Sequence, residues 1–236
     1  MAVILEPVAM ILAAGRGERM RPLTDHTPKA LLSVGGKPLI FWHLEKLAAA
    51  GFRKVVINHA HLGAQIEALV GNGSRWQLNV KYSPESEALE TAGGIRHALP
   101  LLEQDVFAVV NADVHSDYAY DGLLHAMARL RAGKFRAHLI MVDNPAHHLQ
   151  GDFGIENGLA IRTAKRMFTF GGLSAYRADV FSPLIPGRKS ALAPLLYEQI
   201  ARGAVAAEYF PGHWCDVGTP QRLAELDAQM TGRASL

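Results

Sequence analysis

The sequence predicts an α/β protein built on a mostly parallel central sheet, and three observations predict it. Short apolar runs alternate with segments whose apolar residues recur at helical spacing, the pattern of βαβ units. The first apolar run, Val8 to Leu12, empties into a loop holding two glycines and three arginines. The most apolar run of the middle chain, Val106 to Asn111, leads directly into Ala112-Asp113. In an open parallel sheet both of these ends fall at the carboxyl edge, where α/β proteins bind their ligands.

The loop from Leu12 to Lys29 reads LAAGRGERMRPLTDHTPK and carries Arg16, Arg19, Arg21 and Lys29. Backbone N–H groups at Gly15 and Gly17 can approach an anion closely because no Cβ intervenes. Arginine offers a planar fork matched to phosphate oxygens, and lysine a point charge. The loop is not the dinucleotide fingerprint, since Met20 takes the place of its third glycine, nor a P-loop, since no Gly-Lys-Ser/Thr closes it. Its residues fit a grip on a nucleoside triphosphate, and equally a surface loop of solvated arginines.

The following elements are expected in order. Pro38 to Ala50 has helical spacing and stops at Gly51, a helix C-terminal signal. Lys54 to Asn58 is a β-branched run expected as a second parallel strand, Leu62 to Val70 a helix, and Leu78 to Tyr82 a strand. Ser83 to Gly94 is expected as a polar loop running into a helix over Ile95 to Leu99. Glu90 and Thr91 fall near an N-cap, and Gly93-Gly94 would admit a flat ligand, or simply begin a capped helix. Val106 to Asn111 is expected as a central strand, placing Asp113 on the ligand edge. A carboxylate there needs a cation, because burying one without a partner costs several kcal/mol, roughly. Beside a triphosphate that cation is Mg²⁺, which takes one or two carboxylates plus phosphate oxygens and water. The plainer reading is a strand-end aspartate capping a turn.

Tyr120 to Ala132 reads as a helix ended by Gly133, His138 to Val142 as a strand, and Phe153 to Gly158 as a hairpin with an Asn-Gly turn. His147-His148 suggests zinc, but neighbours on an extended chain point to opposite faces, so a metal site there is rejected. Phe168 to Tyr176 alternates like a strand, and Gly171-Gly172 inside it suggests that a ligand approaches the backbone. Ala193 to Ala201 and Pro220 to Met230 are expected as amphipathic helices.

At 236 residues the chain is expected to form a single domain over 1–236, nucleotide-binding over about 8–142 and sugar-binding over about 143–215. A formal net charge of +2 argues against nucleic acid and membrane surfaces as partners. A single cysteine, Cys215, excludes an internal disulfide, fits a reducing compartment and reads as a buried structural thiol. Met1 to Pro7 is too short for the apolar core of a leader, and no apolar run reaches spanning length, so a cytoplasmic protein is expected. Oligomeric state is left open.

Gly15-Arg16-Gly17-Glu18-Arg19-Met20-Arg21-Pro22-Leu23-Thr24 followed by Thr27-Pro28-Lys29 resembles the signature loop of the sugar-phosphate nucleotidyltransferases, and Gly212-His213-Trp214-Cys215-Asp216-Val217-Gly218-Thr219-Pro220 resembles their Trp-x-Asp-x-Gly-Thr motif. The blocks around His26, Asn58, Asp113, Asp143 and Trp214 resemble the compact uridylyltransferase branch used in peptidoglycan recycling, and the likeness covers nearly the whole chain. The resemblance implies a Rossmann-like, GT-A-like three-layer sandwich and, as substrates, UTP and a sugar 1-phosphate. It implies Arg19, Lys29 and Asp113 as catalytic residues, and Ala13, Ala14, Gly15, Gly17, Glu18, Arg19, Lys29, Glu90, Thr91 and Gly93 as nucleotide-binding residues. Asn111, Gly154, Glu156 and Gly172 would meet the sugar side, and Asp113 with Asp216 would hold Mg²⁺. The Glu-x-Lys-Pro lysine of many relatives is missing, with Arg162, Lys165 or Arg166 as substitutes. A hexose 1-phosphate enzyme using GTP, dTTP or CTP, and a nucleotide sensor without turnover, are the rival readings.

Overall fold

The computed structural model describes residues 6–233, so most of the Met1 to Pro7 stretch lies outside the described residues. The chain opens with β1 (Val8–Leu12), and short 3-10 turns at Glu18–Met20, Leu23–Asp25 and Lys29–Leu31 fill the loop that follows. Next come β2 (Ser33–Val34), β3 (Lys37–Pro38), α1 (Leu39–Ala49), β4 (Lys54–His59), α2 (Gly63–Val70) and β5 (Asn79–Pro84). Then follow α3 (Glu90–Leu102), β6 (Val106–Asn111), β7 (Val114–Ser116), α4 (Asp121–Arg131) and β8 (Ala137–Val142). The last third holds β9 (Phe153–Glu156), β10 (Leu159–Ile161), β11 (Met167–Arg177), α5 (Leu192–Ala201), β12 (Val205–Tyr209), β13 (Trp214–Asp216) and α6 (Pro220–Arg233).

The main sheet has the order β5-β4-β1-β6-β11-β8-β12-β10-β9. β5, β4, β1 and β6 run parallel, β11 lies antiparallel between β6 and β8, and β12 returns parallel to β8. Strand residues alternate between two cores, as a period of two requires. Ala9, Ile11, Val55, Ile57, Ala108 and Val110 face the helices α1, α2 and α4 through Leu44, Ile66 and Met127. Val8, Met10, Val56, Phe107 and Val109 face α3 and α5 through Ile95, Leu102 and Leu196. Helices on both faces make the three-layer sandwich expected from the sequence. Strands β1, β4 and β6 are buried on both sides, so they read as continuous apolar runs.

Several local expectations change. Helix α3 begins at Glu90 rather than Ile95, which brings Gly93 and Gly94 into its first turns. His147 and His148 do not lie on an extended segment: the His148 N–H donates to the Pro145 carbonyl in a turn, and both residues line the same cleft. The short strands β2, β3, β7 and β13 carry too few residues for periodicity to reveal them; β12, as long as β1, reads Val-Ala-Ala-Glu-Tyr and has neither alternation nor a β-branched run. The Asn157-Gly158 turn forms as expected, with φ of 51° and 75° and Leu159 opposite Glu156.

Buried His43 on α1 hydrogen-bonds the Tyr120 hydroxyl at 2.7 Å. Burial pushes its imidazole down from the ordinary 6.5 to about 4. Between these values the unfolded chain binds a proton there that the folded protein does not, so stability falls as pH drops through this window. The loss should reach about 3 kcal/mol below pH 4. Unfolding midpoints from pH 7 to 4 should fall less steeply in His43→Gln than in the unaltered protein; equal slopes would contradict the assignment.

Candidate functional site

The strand order reverses between β1 and β6, because β1 continues to β4 and β5 on its other side. Leu12 and Asn111 are in register at that point, and the Ala112 N–H donates to the Leu12 carbonyl at 3.0 Å. Both loops therefore leave the sheet together at the place where open α/β sheets bind ligands.

Three connected clefts open there. The first, of about 190 Å³, is lined by Ala13, Ala14, Gly15, Lys29, Asn58, Glu90, Thr91, Asn111 and Asp113, among others. The second, of about 370 Å³, shares Asn111 and Asp113 and adds Arg19, His147, His148, Asp152, Gly172, Trp214 and Asp216. The third, of about 320 Å³, shares Thr91, Asn111 and Asp152 and is walled by Phe153, Phe170, Leu192, Leu196 and Tyr197. Asn111 belongs to all three.

The loop after β1 is held from several sides. Gly17 has φ of 66°, and its carbonyl accepts from the Thr24 hydroxyl at 2.8 Å. Met20, in the place of the missing glycine, is fully buried with Leu32, Val34, Leu39, Val217 and Leu226, pinning the loop against α6. A Cβ built on Gly15 would meet nothing within 4 Å, so this backbone stands open at the first cleft. Gly17 and Glu18 are not among the residues that line these clefts. Arg19 is exposed on the second cleft, whereas the Lys29 side chain is only 12% exposed and its ammonium pairs with Asp113.

Asp113 and Asp216, about a hundred positions apart, meet through a small antiparallel ribbon. β13 pairs with β7 so that Asp216 lies opposite Val114, and the Val217 N–H donates to the Asp113 carbonyl at 2.8 Å. Asp216 Oδ1 pairs with the Arg222 guanidinium and lies 3.1 Å from His147 Nε2. Both carboxylates line the second cleft, each already facing cationic or imidazole side chains. A pair of partly exposed carboxylates in a cleft, ready to exchange such partners, fits a divalent ion of the oxygen-seeking kind.

Asn58 and Glu85, which the sequence reading did not single out as site residues, form a buried brace behind the first cleft. Asn58 Oδ1 accepts from the Ala13 N–H at 2.9 Å, and its amide donates to Glu85 Oε1 at 2.7 Å. Glu85 Oε2 accepts from the Leu89 N–H at 2.8 Å. The brace thus ties the loop after β1 to the start of α3. A signal existed: the run KVVIN ends on a polar residue at the same carboxyl edge as Leu12. Arg222 on Asp216 carried no comparable local signal, whereas His147, also on Asp216, did so in the adjacent-histidine pair rejected above as a metal site.

Beside some of the expected ligand glycines, protein atoms occupy the space that a Cβ would fill. A Cβ on Gly93 would lie 2.5 Å from the Arg188 carbonyl, so the space it opens is taken by chain from the α5 approach. On Gly172, with φ of 70°, a Cβ would lie 2.9 Å from the Asn111 amide, although the residue still borders the second cleft. The Gly171 carbonyl accepts from the Trp214 indole at 2.9 Å. Gly154 is packed against Ala164 and Ile161, and Glu156 is exposed on β9, a strand paired with both β10 and β11; neither borders a cleft described above.

This chain belongs to the nucleotidyl transferase family, whose model matches residues 8–156. It is 47% identical over 224 residues to the N-acetylmuramate alpha-1-phosphate uridylyltransferase of Neisseria meningitidis serogroup B, covering 93% of this chain and 96% of that protein. A Caulobacter vibrioides protein of the same name is 32% identical over 234 residues, 94% of this chain and 96% of its own. Among solved structures, a Bacillus anthracis protein in complex with a sucrose superposes with a TM-score of 0.82 at 22% identity, covering 94% of each chain, which shows the shared fold.

Proposed function

We propose that the chain transfers a uridylyl group from UTP to N-acetylmuramate 1-phosphate, giving UDP-N-acetylmuramate and pyrophosphate. The observation that carries this reading is the 47% identity to the Neisseria protein over nearly the full length, joined to the convergence of Arg19, Lys29, Asp113 and Asp216 on adjoining clefts. The first cleft takes the nucleotide, with Gly15 backbone on the phosphates and Glu90 and Thr91 beside the base. The second takes the reacting phosphates, and the third, with its apolar wall, takes the sugar.

A phosphate oxygen of the sugar 1-phosphate attacks the α-phosphorus of UTP; the new P–O bond forms as the bond to pyrophosphate breaks. The nucleophile is already anionic near neutral pH and needs no strong general base. The barrier is repulsion between anions, so catalysis is positioning and electrostatic stabilisation. Lys29 and Arg19 take up charge as pyrophosphate leaves, and the Asn58–Glu85 brace keeps the Ala13 backbone in line. Asp113 and Asp216 would hold Mg²⁺, which when bound supplies positive charge to the phosphate oxygens. The reaction suits a cytoplasmic enzyme of peptidoglycan recycling. Among the described residues, no helix is long and apolar enough to cross a membrane.

Pyrophosphate release tests the reading. UTP with N-acetylmuramate 1-phosphate and Mg²⁺ should turn over at least tenfold more efficiently than GTP or dTTP with glucose or mannose 1-phosphate, the lower end of the discrimination that even an apolar pocket gives. Tight UTP binding without release would favour a sensor instead. Treatment with EDTA should abolish turnover and added Mg²⁺ restore it; activity that survives chelation would remove the metal from the scheme.

A further inference from the structure

We propose that the β7–β13 ribbon carries a second metal site, for a transition-metal dication of the zinc class, held by His115, Asp117 and His213. Its register puts Cys215 opposite His115 and Trp214 opposite Ser116, and the Asp117 N–H continues the ladder to the His213 carbonyl at 2.9 Å. Residues two apart on a strand, and residues opposed across a ladder, share a face. One face therefore presents Val114, Trp214 and Asp216, all of which line the second cleft. The other face gathers His115, Asp117, His213 and Cys215.

On that face one ligand atom each from His115, Asp117 and His213 lies within 4.8 Å of the other two. Tetrahedral zinc with bonds of about 2.0–2.2 Å needs ligand atoms roughly 3.4 Å apart, so modest side-chain rotations close the site. The two imidazoles meet edge to face at 5.8 Å. His213 Nε2 already faces Gln229 Oε1 of α6 at 3.1 Å, while its Nδ1 is buried with no hydrogen-bond partner among the described residues. One ring nitrogen tied to an outer group and the other left without a hydrogen bond suits a metal-ligating histidine. Two imidazoles and a carboxylate favour Zn²⁺, Co²⁺ or Ni²⁺ over Mg²⁺, which prefers oxygen. Water would complete the set, since the Cys215 thiol packs instead against the Met20, Val217 and Leu226 cluster. The neighbouring cation Lys46, whose ammonium is bound to the Ser116 and Tyr118 carbonyls, is also attracted by Asp117, so the incoming dication would share that carboxylate's charge with it. A metal here would clamp the two strands that carry Asp216 and follow Asp113, independently of which nucleotide or sugar the enzyme uses.

The test titrates the untagged full chain, stripped by chelation and held in excess Mg²⁺, with Co²⁺. The expected result is one equivalent bound, ligand-field absorption of a low-coordinate nitrogen and oxygen site, displacement by Zn²⁺, and a raised unfolding temperature. His213→Ala and Asp117→Asn should each weaken binding at least ~100-fold, since even outer-shell losses cost 10–100-fold. Asp216→Asn, on the opposite face, should leave Co²⁺ binding within threefold. Asp117 is exposed, so its variant keeps the test sound should His213→Ala fold poorly. No saturable equivalent, or binding lost in Asp216→Asn but kept in Asp117→Asn, would overturn the proposal.

Discussion

Replacing Lys29 with alanine should lower kcat by roughly two to four decades, the scale on which comparable charge-stabilising groups act. The Lys29 side chain is 12% exposed, so its charge acts in a medium that screens less than bulk water. Its ammonium faces Asp113, and both groups line the first cleft, beside the open Gly15 backbone. With two anionic substrates in that space, removal of the cation leaves charge on the departing pyrophosphate uncompensated. The Asp113 side chain is 39% exposed, so water can solvate it once the lysine is gone, and unfolding midpoints should move little. Arg19→Ala should show the same kcat loss, more at low salt than at high, because Arg19 is exposed. A Lys29→Ala enzyme with near-normal turnover would remove this loop from the chemistry.

Replacing Glu85 with alanine should cost about 2–6 kcal/mol of folding stability, since each of the two buried donors left without an acceptor costs about 1–3. Glu85 is 7% exposed and accepts from both the Asn58 amide and the Leu89 N–H. Removing it orphans both donors and frees Asn58 to turn away from the Ala13 N–H. Gly94→Ala attacks the same brace sterically: its Cβ would lie 2.8 Å from both Asn58 Nδ2 and Glu85 Oε1. Urea unfolding should show the loss in both variants, with KM for the nucleotide raised more than KM for the sugar phosphate. An unchanged urea midpoint in Glu85→Ala would mean that the brace does not hold the fold.

Much of the architecture was legible because its signals are local. Val8 to Leu12 and Val106 to Asn111 read as strands since both faces of the sheet are covered, and Gly51 and Gly133 mark real helix ends. The start of α3 was misplaced because the polar wording of Ser83 to Gly94 resembles a loop. Its glycines serve close packing, Gly94 against Asn58 and Glu85, Gly93 against Arg188. Glycine in a sequence announces a close approach without saying what approaches, and at Gly93, Gly171 and Gly172 the protein's own atoms do so.

By itself the sequence determined the α/β class, the cation-rich loop on the carboxyl edge and the family, because periodicity, glycine placement and motif wording are carried by neighbouring residues. Only the tertiary structure decided that Asp216 stands beside Asp113, that His147 and Arg222 meet it, and that His115, Asp117 and His213 share one face of a ribbon. Those meetings depend on the register between strands far apart in the chain, and register follows from how both sheet faces and the β7–β13 pair are packed.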